Sequence, residues 1–204
     1  MTRAAAEQPP RPRGRRAGGE DTRGVIVAAA RARFAADGYE KASLRAIARA
    51  ASVDAALVHH YFDDKAALFA AAMHLPENPR DVVTRVLAGD PGRVGERLAG
   101  SFFDVWDSPS GGEGIEALVR AAVSHDEAAR MLREFLSREI FGRVAVGLGA
   151  PDADLRAALA TSQMVGLAMV RYVLQIEPVA SAPAGQLVAW VAPTLQRYLT
   201  APAP

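Results

Sequence analysis

Cysteine is absent from the 204-residue chain, which excludes disulfides, thiolate metal sites and cysteine nucleophiles together. The absence fits a reducing compartment, and a soluble, cytoplasmic protein is expected. Aromatic residues are scarce at 6%, whereas half the chain is apolar, and Ala, Leu, Val and Arg recur throughout. That balance favours helices over a β-sandwich. No apolar run approaches the roughly 20 residues of a membrane span, so no membrane partner is expected. Alternating strand patterns between hairpin signals are missing, and so is any internal repeat. Enzyme signatures are missing as well: there is no zinc-protease histidine pair, no nucleophile-elbow serine and no phosphate-binding glycine loop. Neither an enzymatic activity nor a metal or cofactor is expected, and His125, Asp126 and Glu127 read as the acidic first turn of a helix.

What is present is an uneven charge. The net charge is only +1, but residues 1–65 hold 12 Lys/Arg against 8 Asp/Glu, and the remainder is acidic. A basic end on a near-neutral body suits a polyanionic partner, although a solvated arginine tail would look the same. Residues 1–20, with Arg3, Arg11, Arg13, Arg15 and Arg16 among prolines and glycines, cannot bury enough surface to offset their ordering entropy and read as a disordered basic arm. From Thr22 a helical pattern begins, with Ile26, Ala30 and Phe34 four apart and Gly38 suited to a left-handed cap. Ser43 is an expected N-cap for a short second helix, Asp54 for a third ending near Tyr61 and Phe62, and Asp63 or Asp64 for a fourth that stops before Pro76. Pro76 and Pro79 mark a boundary, which gives a head at 21–75 and a body at 76–204. In the body, helices are expected near 80–89, 92–107 and 114–123. A long one follows, from a capping box at Ser124 to Glu127 as far as Leu148; then come 152–177, apolar nearly all round, and 184–200, bent by Pro193. The fold class is therefore all-α, with about nine helices.

Two short helices joined by a tight turn have the make-up of a helix-turn-helix. Leu44, Ile47, Ala48, Val53, Val58 and Phe62 would fill its miniature core, leaving Ala55, Leu57, His59 and His60 outward. Small and apolar outward residues suit a helix pressed into the DNA major groove, where thymine methyls offer apolar contacts. On pattern alone, a plain αα-hairpin of the core fits equally.

Thr22, Ile26, Ala30, Phe34, Gly38, Tyr39, Ala42, Ser43, Leu44, Ile47, Ala48, Ala51, Val53, Tyr61, Phe62, Asp64, Lys65, Leu68 and Phe69 together resemble the signature of the TetR transcriptional regulators over about 48 residues. Two departures stand out: Ser52 occupies a turn position usually held by glycine, and His59 replaces a usual tyrosine. The resemblance implies phosphate contacts from Ser43, Tyr61 and Lys65 and a base contact from Arg45, which can meet guanine in bidentate fashion. Ala55, Leu57 and His60 would read shape and methyl groups, and His59 and His60 would meet phosphate or base. The implied partner is a palindromic double-stranded operator bound by a homodimer, more commonly to repress transcription.

The resemblance also assigns dimerisation to the last two helices, with Leu159, Leu167, Leu187, Val191 and Leu195 as interface candidates that would pair in a four-helix bundle. It implies an effector cavity in the body, for an apolar or aromatic small molecule. Candidates to line it are Phe102, Phe103, Trp106, Met131, Phe135, Met164 and Met169, residue types that also simply fill cores. Arg171, inside an apolar helix, reads as an interface salt bridge, an internal carboxylate partner or a ligand contact. If an effector binds, the fourth helix, residues 65–75, would carry the coupling. The alternative is a DNA-binding dimer without a small-molecule ligand, controlled by abundance or a protein partner. Deleting residues 1–19 is expected to weaken DNA affinity and flatten its salt dependence, because fewer counterions are then released; an unchanged slope in a salt titration of binding would show that the arm does not follow the DNA.

Overall fold

The structure, a computed structural model, describes residues 19–108 and 112–202. The basic arm with its five arginines and the tip of the predicted loop at 108–112 lie outside the described residues. Ten helices form among those described, and no strand. The head comprises α1 (Gly19–Lys41), α2 (Leu44–Ala50), α3 (Ala55–Tyr61) and α4 (Lys65–Ala72). The body comprises α5 (Pro79–Leu87), α6 (Val94–Trp106), α7 (Gly112–Ser124), α8, α9 and α10 (Ala184–Thr200). Helix α8 opens at Asp126–Phe135, passes through a π-helical turn at Leu136–Phe141 and finishes at Gly142–Gly147. Helix α9 runs Ala153–Ala168 and ends in a second π-helical turn at Met169–Val173.

Local chemistry sets the ends of the head helices. Gly38 breaks α1 with φ 81°, where a side chain would be strained. Ser43, Asp54 and Asp64 each accept a backbone N–H of the following helix, from Ala46 at 3.1 Å, Ala56 at 2.7 Å and Ala67 at 2.8 Å. The turn between α2 and α3 is a Schellman cap: the Ser52 N–H donates to the Arg49 carbonyl at 3.1 Å, and the Val53 N–H to Ala48 at 3.0 Å. Ser52 sits in the left-handed region with φ 55°, which explains why glycine is the usual residue there. Helix α4 ends the same way, with His74 left-handed at φ 55° and the Leu75 N–H donating to Ala70 at 2.8 Å. Arg31 from α1 closes that end by donating to the Ala72 carbonyl at 2.9 Å.

The head does not close its own core. Ile26, Phe34, Tyr39, Ile47, Val58 and Phe69 are buried together with Met131 and Phe135 of α8 and Leu118 of α7. Phe69 stacks on Phe135 with centroids 4.3 Å apart, and Tyr39 meets both rings edge-on at 5.0 and 5.6 Å. The expected boundary at 75/76 is thus a chain boundary across which one apolar cluster is continuous. In the body, α6 and α10 approach so closely that a Cβ on Gly95 would strike the Ala192 carbonyl, and the Gly95 N–H donates to Gln196 Oε1 at 2.9 Å.

Three expectations are corrected. The capping box at Ser124 is not formed: Ser124 is the last residue of α7, and α8 starts at Asp126 from an extended His125 that makes no side-chain cap. Within the subunit Arg171 meets no carboxylate among the described residues, so of its expected roles the internal carboxylate partner is the one corrected; its Nη1 donates to the Val179 and Ala182 carbonyls, both at 2.8 Å, and its guanidinium lies over the Phe103 ring at 5.4 Å. The helices expected at 124–148 and 152–177 each contain a π-helical turn, and the second ends at Val173 rather than Glu177. A buried guanidinium that the pattern did not flag, Arg156, donates to the carbonyls of Pro151, Tyr198 and Ala201 at 2.7–2.8 Å and so anchors α9 to the end of α10.

Two stability changes follow. Ser52→Gly is expected to raise the unfolding free energy by about 0.5–1 kcal/mol in urea titrations, because glycine relieves the left-handed strain at more than its entropic cost. Phe135→Ala is expected to lower it by about 3–5 kcal/mol, since it empties the ring stack that both parts of the molecule share.

Candidate nucleic-acid interface

The caps and turn hold α3 across the head with one face inward. Val58 is fully buried and Phe62 nearly so, which pins both ends of the helix to the core. The opposite face carries His59 and His60, both exposed, with Ala56 exposed and Leu57 half-buried beside them, whereas Ala55, three residues before Val58, packs against the head core. The His60 and Tyr61 rings meet edge-on at 5.1 Å. The whole predicted miniature core is in place, Leu44 and Val53 being partly buried at its rim. Of the four residues predicted to face outward, Leu57, His59 and His60 reach the surface on one side of this short helix; Ala55 does not, because it follows the core-facing spacing of Val58 and Phe62.

Flanking positions complete a polar ledge. Ser43 is exposed at the start of α2 with its hydroxyl committed to the Ala46 N–H. Arg45 is exposed on the first turn, with no ion-pair partner among the described residues. Arg49, also exposed, lies four residues on and therefore on the same face; the sequence reading passed over it, although the four-residue spacing of the two arginines was visible. Lys65, expected to meet phosphate, is half-buried at the start of α4. Its Nζ donates to the Glu40 carbonyl at 2.9 Å and lies 4.7 Å from the Tyr39 ring centre, and burial lowers its pKa. It ties α4 to the end of α1.

The same corner links the head to the body. The Glu40 N–H donates to Glu134 at 2.8 Å, and the Glu40 carboxylate accepts from Arg138 at 2.5 Å. Beneath them the Tyr39 phenol is held protonated, its pKa raised by burial and then by the Glu139 carboxylate. Glu139 in turn accepts from Arg143 at 2.9 Å.

On its other side α8 walls an apolar cavity of about 140 Å³, bounded also by the α4–α5 connection, α6, α7 and α9. Four of the seven predicted lining residues face it: Phe102, Trp106, Phe135 and Met164. The other three do not. Phe103 is buried in the main body core, Met131 belongs to the core of the head, and Met169 packs beside Trp106 and Ala168. Leu75 and Pro76, directly after the cap of α4, form part of the wall, so head and cavity share a boundary. Near one end Trp106 stacks on Tyr172 at 4.4 Å, and the Tyr172 hydroxyl donates to Asp107 at 2.7 Å.

The predicted partner face also needs correction. Leu195 is fully buried, and Leu167 and Leu187 nearly so, because they pack inside one subunit, while Val191 is half-buried against the same core. Leu159 alone of the five is exposed. Beside it on α9 lies Leu155, 61% exposed, and α10 presents Trp190 at 77%. No helix among the described residues is long and apolar enough to cross a membrane.

No curated protein matches the chain. Among solved structures it is similar to a TetR-family regulator from Streptomyces coelicolor A3, with 35% identity over 91% of this chain and 98% of that one and a TM-score of 0.48. It is also similar to a transcriptional regulator from Rhodococcus sp. Rha1, with 25% identity over 89% and 99% of the two chains and a TM-score of 0.42. A third, described as a putative TetR-family regulator from Mesorhizobium loti, shares 16% identity over 88% and 96% at a TM-score of 0.45. Residues 26–72 match the family described as bacterial regulatory proteins, tetR family, and residues 92–199 match the tetracyclin repressor-like C-terminal domain. With the helix-turn-helix covered by the first match and more than half the chain by the second, the protein belongs to the TetR family of DNA-binding transcriptional regulators.

Proposed function

We propose that this regulator is a repressor that binds a palindromic operator as a homodimer and releases it when a small molecule occupies the body cavity. The observation that carries the reading is the exposed face of α3, where Ala56, Leu57, His59 and His60 stand over a helix pinned at Val58 and Phe62. Arg45 takes the base contact, with Arg49 joining Ser43 and Tyr61 on phosphates. Lys65 acts by fixing the end of α1 that carries the motif. Two copies set their α3 helices about 34–36 Å apart, one turn of B-DNA.

The dimer forms through α9 and α10. A tryptophan as exposed as Trp190, with Leu155 and Leu159 nearby, is the apolar surface a partner covers in a four-helix arrangement. Release follows from linkage: an occupied cavity favours a placement of α8 and the α4 cap in which the two α3 helices no longer match successive grooves. A coupling of about 1–3 kcal/mol changes operator affinity roughly 5- to 150-fold, enough for a switch.

Selection of bound duplexes from random DNA is expected to return a palindrome with half-site centres about 10–10.5 base pairs apart. Arg45→Ala should cost about 1–3 kcal/mol and relax one position in each half-site. Trp190→Glu should yield monomers in analytical ultracentrifugation and reduce the selected sequence to a single half-site. Enrichment of no sequence, or of an asymmetric one by a monomer, would contradict the proposal.

A further inference from the structure

The cavity wall holds almost no polarity. Of the side chains that form it, only Ser101 and Glu77 carry oxygen, and none carries a positive charge. Both Glu77 carboxylate oxygens are engaged by Arg85, at 2.8 and 3.0 Å, and Arg85 is not part of the wall. Ser101 differs: it is only 4% exposed, and its hydroxyl makes no hydrogen bond among the described residues. The hydroxyl is not sealed in the protein but borders the open space of the cavity, where a ligand can meet it.

Size and shape narrow the occupant further. An apolar cavity of about 150 Å³ accepts benzene, so about 140 Å³ holds one six-membered ring with a short substituent. Phe102, Trp106 and Phe135 offer ring faces and edges against which such a ring packs. An anionic ligand would lose its hydration and gain no counter-charge, and it would lie near the Glu77 carboxylate; a cation would find that carboxylate already paired.

From the regulator reading above, on which this rests, we infer that the effector is an uncharged single-ring molecule bearing one hydroxyl or carbonyl group that pairs with Ser101. The class excludes fatty acids, acyl thioesters of nucleotides and aromatic acids in their ionised form.

The test uses the full-length protein and three probes built on one methylated ring: p-cresol, toluene and p-toluate. In thermal-shift and calorimetric titrations, p-cresol is expected to bind most tightly, toluene more weakly, and p-toluate not at all over the same concentrations. Ser101→Ala should weaken p-cresol about 3- to 10-fold, to the level of toluene, and leave toluene unchanged. Val105→Phe, which fills the cavity from α6, should abolish binding of both neutral rings. Binding of p-toluate as tight as that of p-cresol overturns the inference, and so does p-cresol affinity indifferent to either substitution, or binding by none of the three. Anisotropy of a labelled selected duplex in the same samples separates the two levels. Intact DNA binding with no ring bound retires the ligand class alone, whereas no bound duplex retires the regulator reading beneath it.

Discussion

The packing of Phe69 against Phe135 is the contact on which the rest of the molecule depends. Phe69 belongs to α4 of the head and Phe135 to α8 of the body, and Phe34 and Tyr39 of α1 close around them. Four rings from three helices bury more apolar surface than the short head helices could gather alone, since α2 and α3 have two turns each. The polar contacts above the rings, from Glu40 to Glu134, Arg138 and Lys65, fix the direction in which the head leaves the body. They are worth little as isolated surface pairs, but they sit over a buried apolar contact and set its orientation.

The geometry makes α8 a helix with two duties. One face holds the base of the helix-turn-helix through Phe135, Met131, Glu134 and Arg138, and another walls the cavity through Leu132, Leu136 and Ile140. Its π-helical turn begins at Leu136, within the stretch where residues of the two faces alternate. Gly142 closes that turn because a Cβ there would collide with the Ser137 carbonyl. A residue inserted in this way rotates everything after it relative to a regular helix, which brings Glu139 under Tyr39 and Phe141 toward the cavity. Packed side chains with two discrete arrangements, rather than a flexible hinge, are then the natural means by which an occupied cavity reaches α3.

The sequence was most informative where structure is decided within a few residues. Ser43, Asp54 and Asp64 cap as expected, and Val58 and Phe62 pin α3 with His59 and His60 outward, all from spacing and cap chemistry; Gly38 has the positive φ expected of it, but with ψ at 175° it kinks α1 instead of forming the left-handed cap. It was least informative where the answer depends on which neighbour covers an apolar face. Leu167, Leu187 and Leu195 have the periodicity of a buried stripe, and the stripe is buried; the partner is α6 and the rest of the same subunit rather than a second copy. Met131 and Phe103 were rightly seen as interior and wrongly assigned to a cavity, because hydrophobicity does not distinguish a filled core from an unfilled one. The π-helical turns and the three-carbonyl seat of Arg156 leave no mark in a 3.6-residue period, the first because they interrupt it and the second because its partners are backbone atoms, two of them over 40 residues away.

Native-state hydrogen exchange with increasing denaturant tests most directly whether head and body are one cooperative unit. The shared ring stack predicts that the slowest amides of α4, around Phe69 to Ala72, and those of α8, around Met131 to Phe135, merge onto a single isotherm and open with the same free energy. Opening of α1–α4 at markedly lower free energy, with α8 still protected, would mean that the head folds and moves on its own, and the account of how the two parts are joined would be wrong.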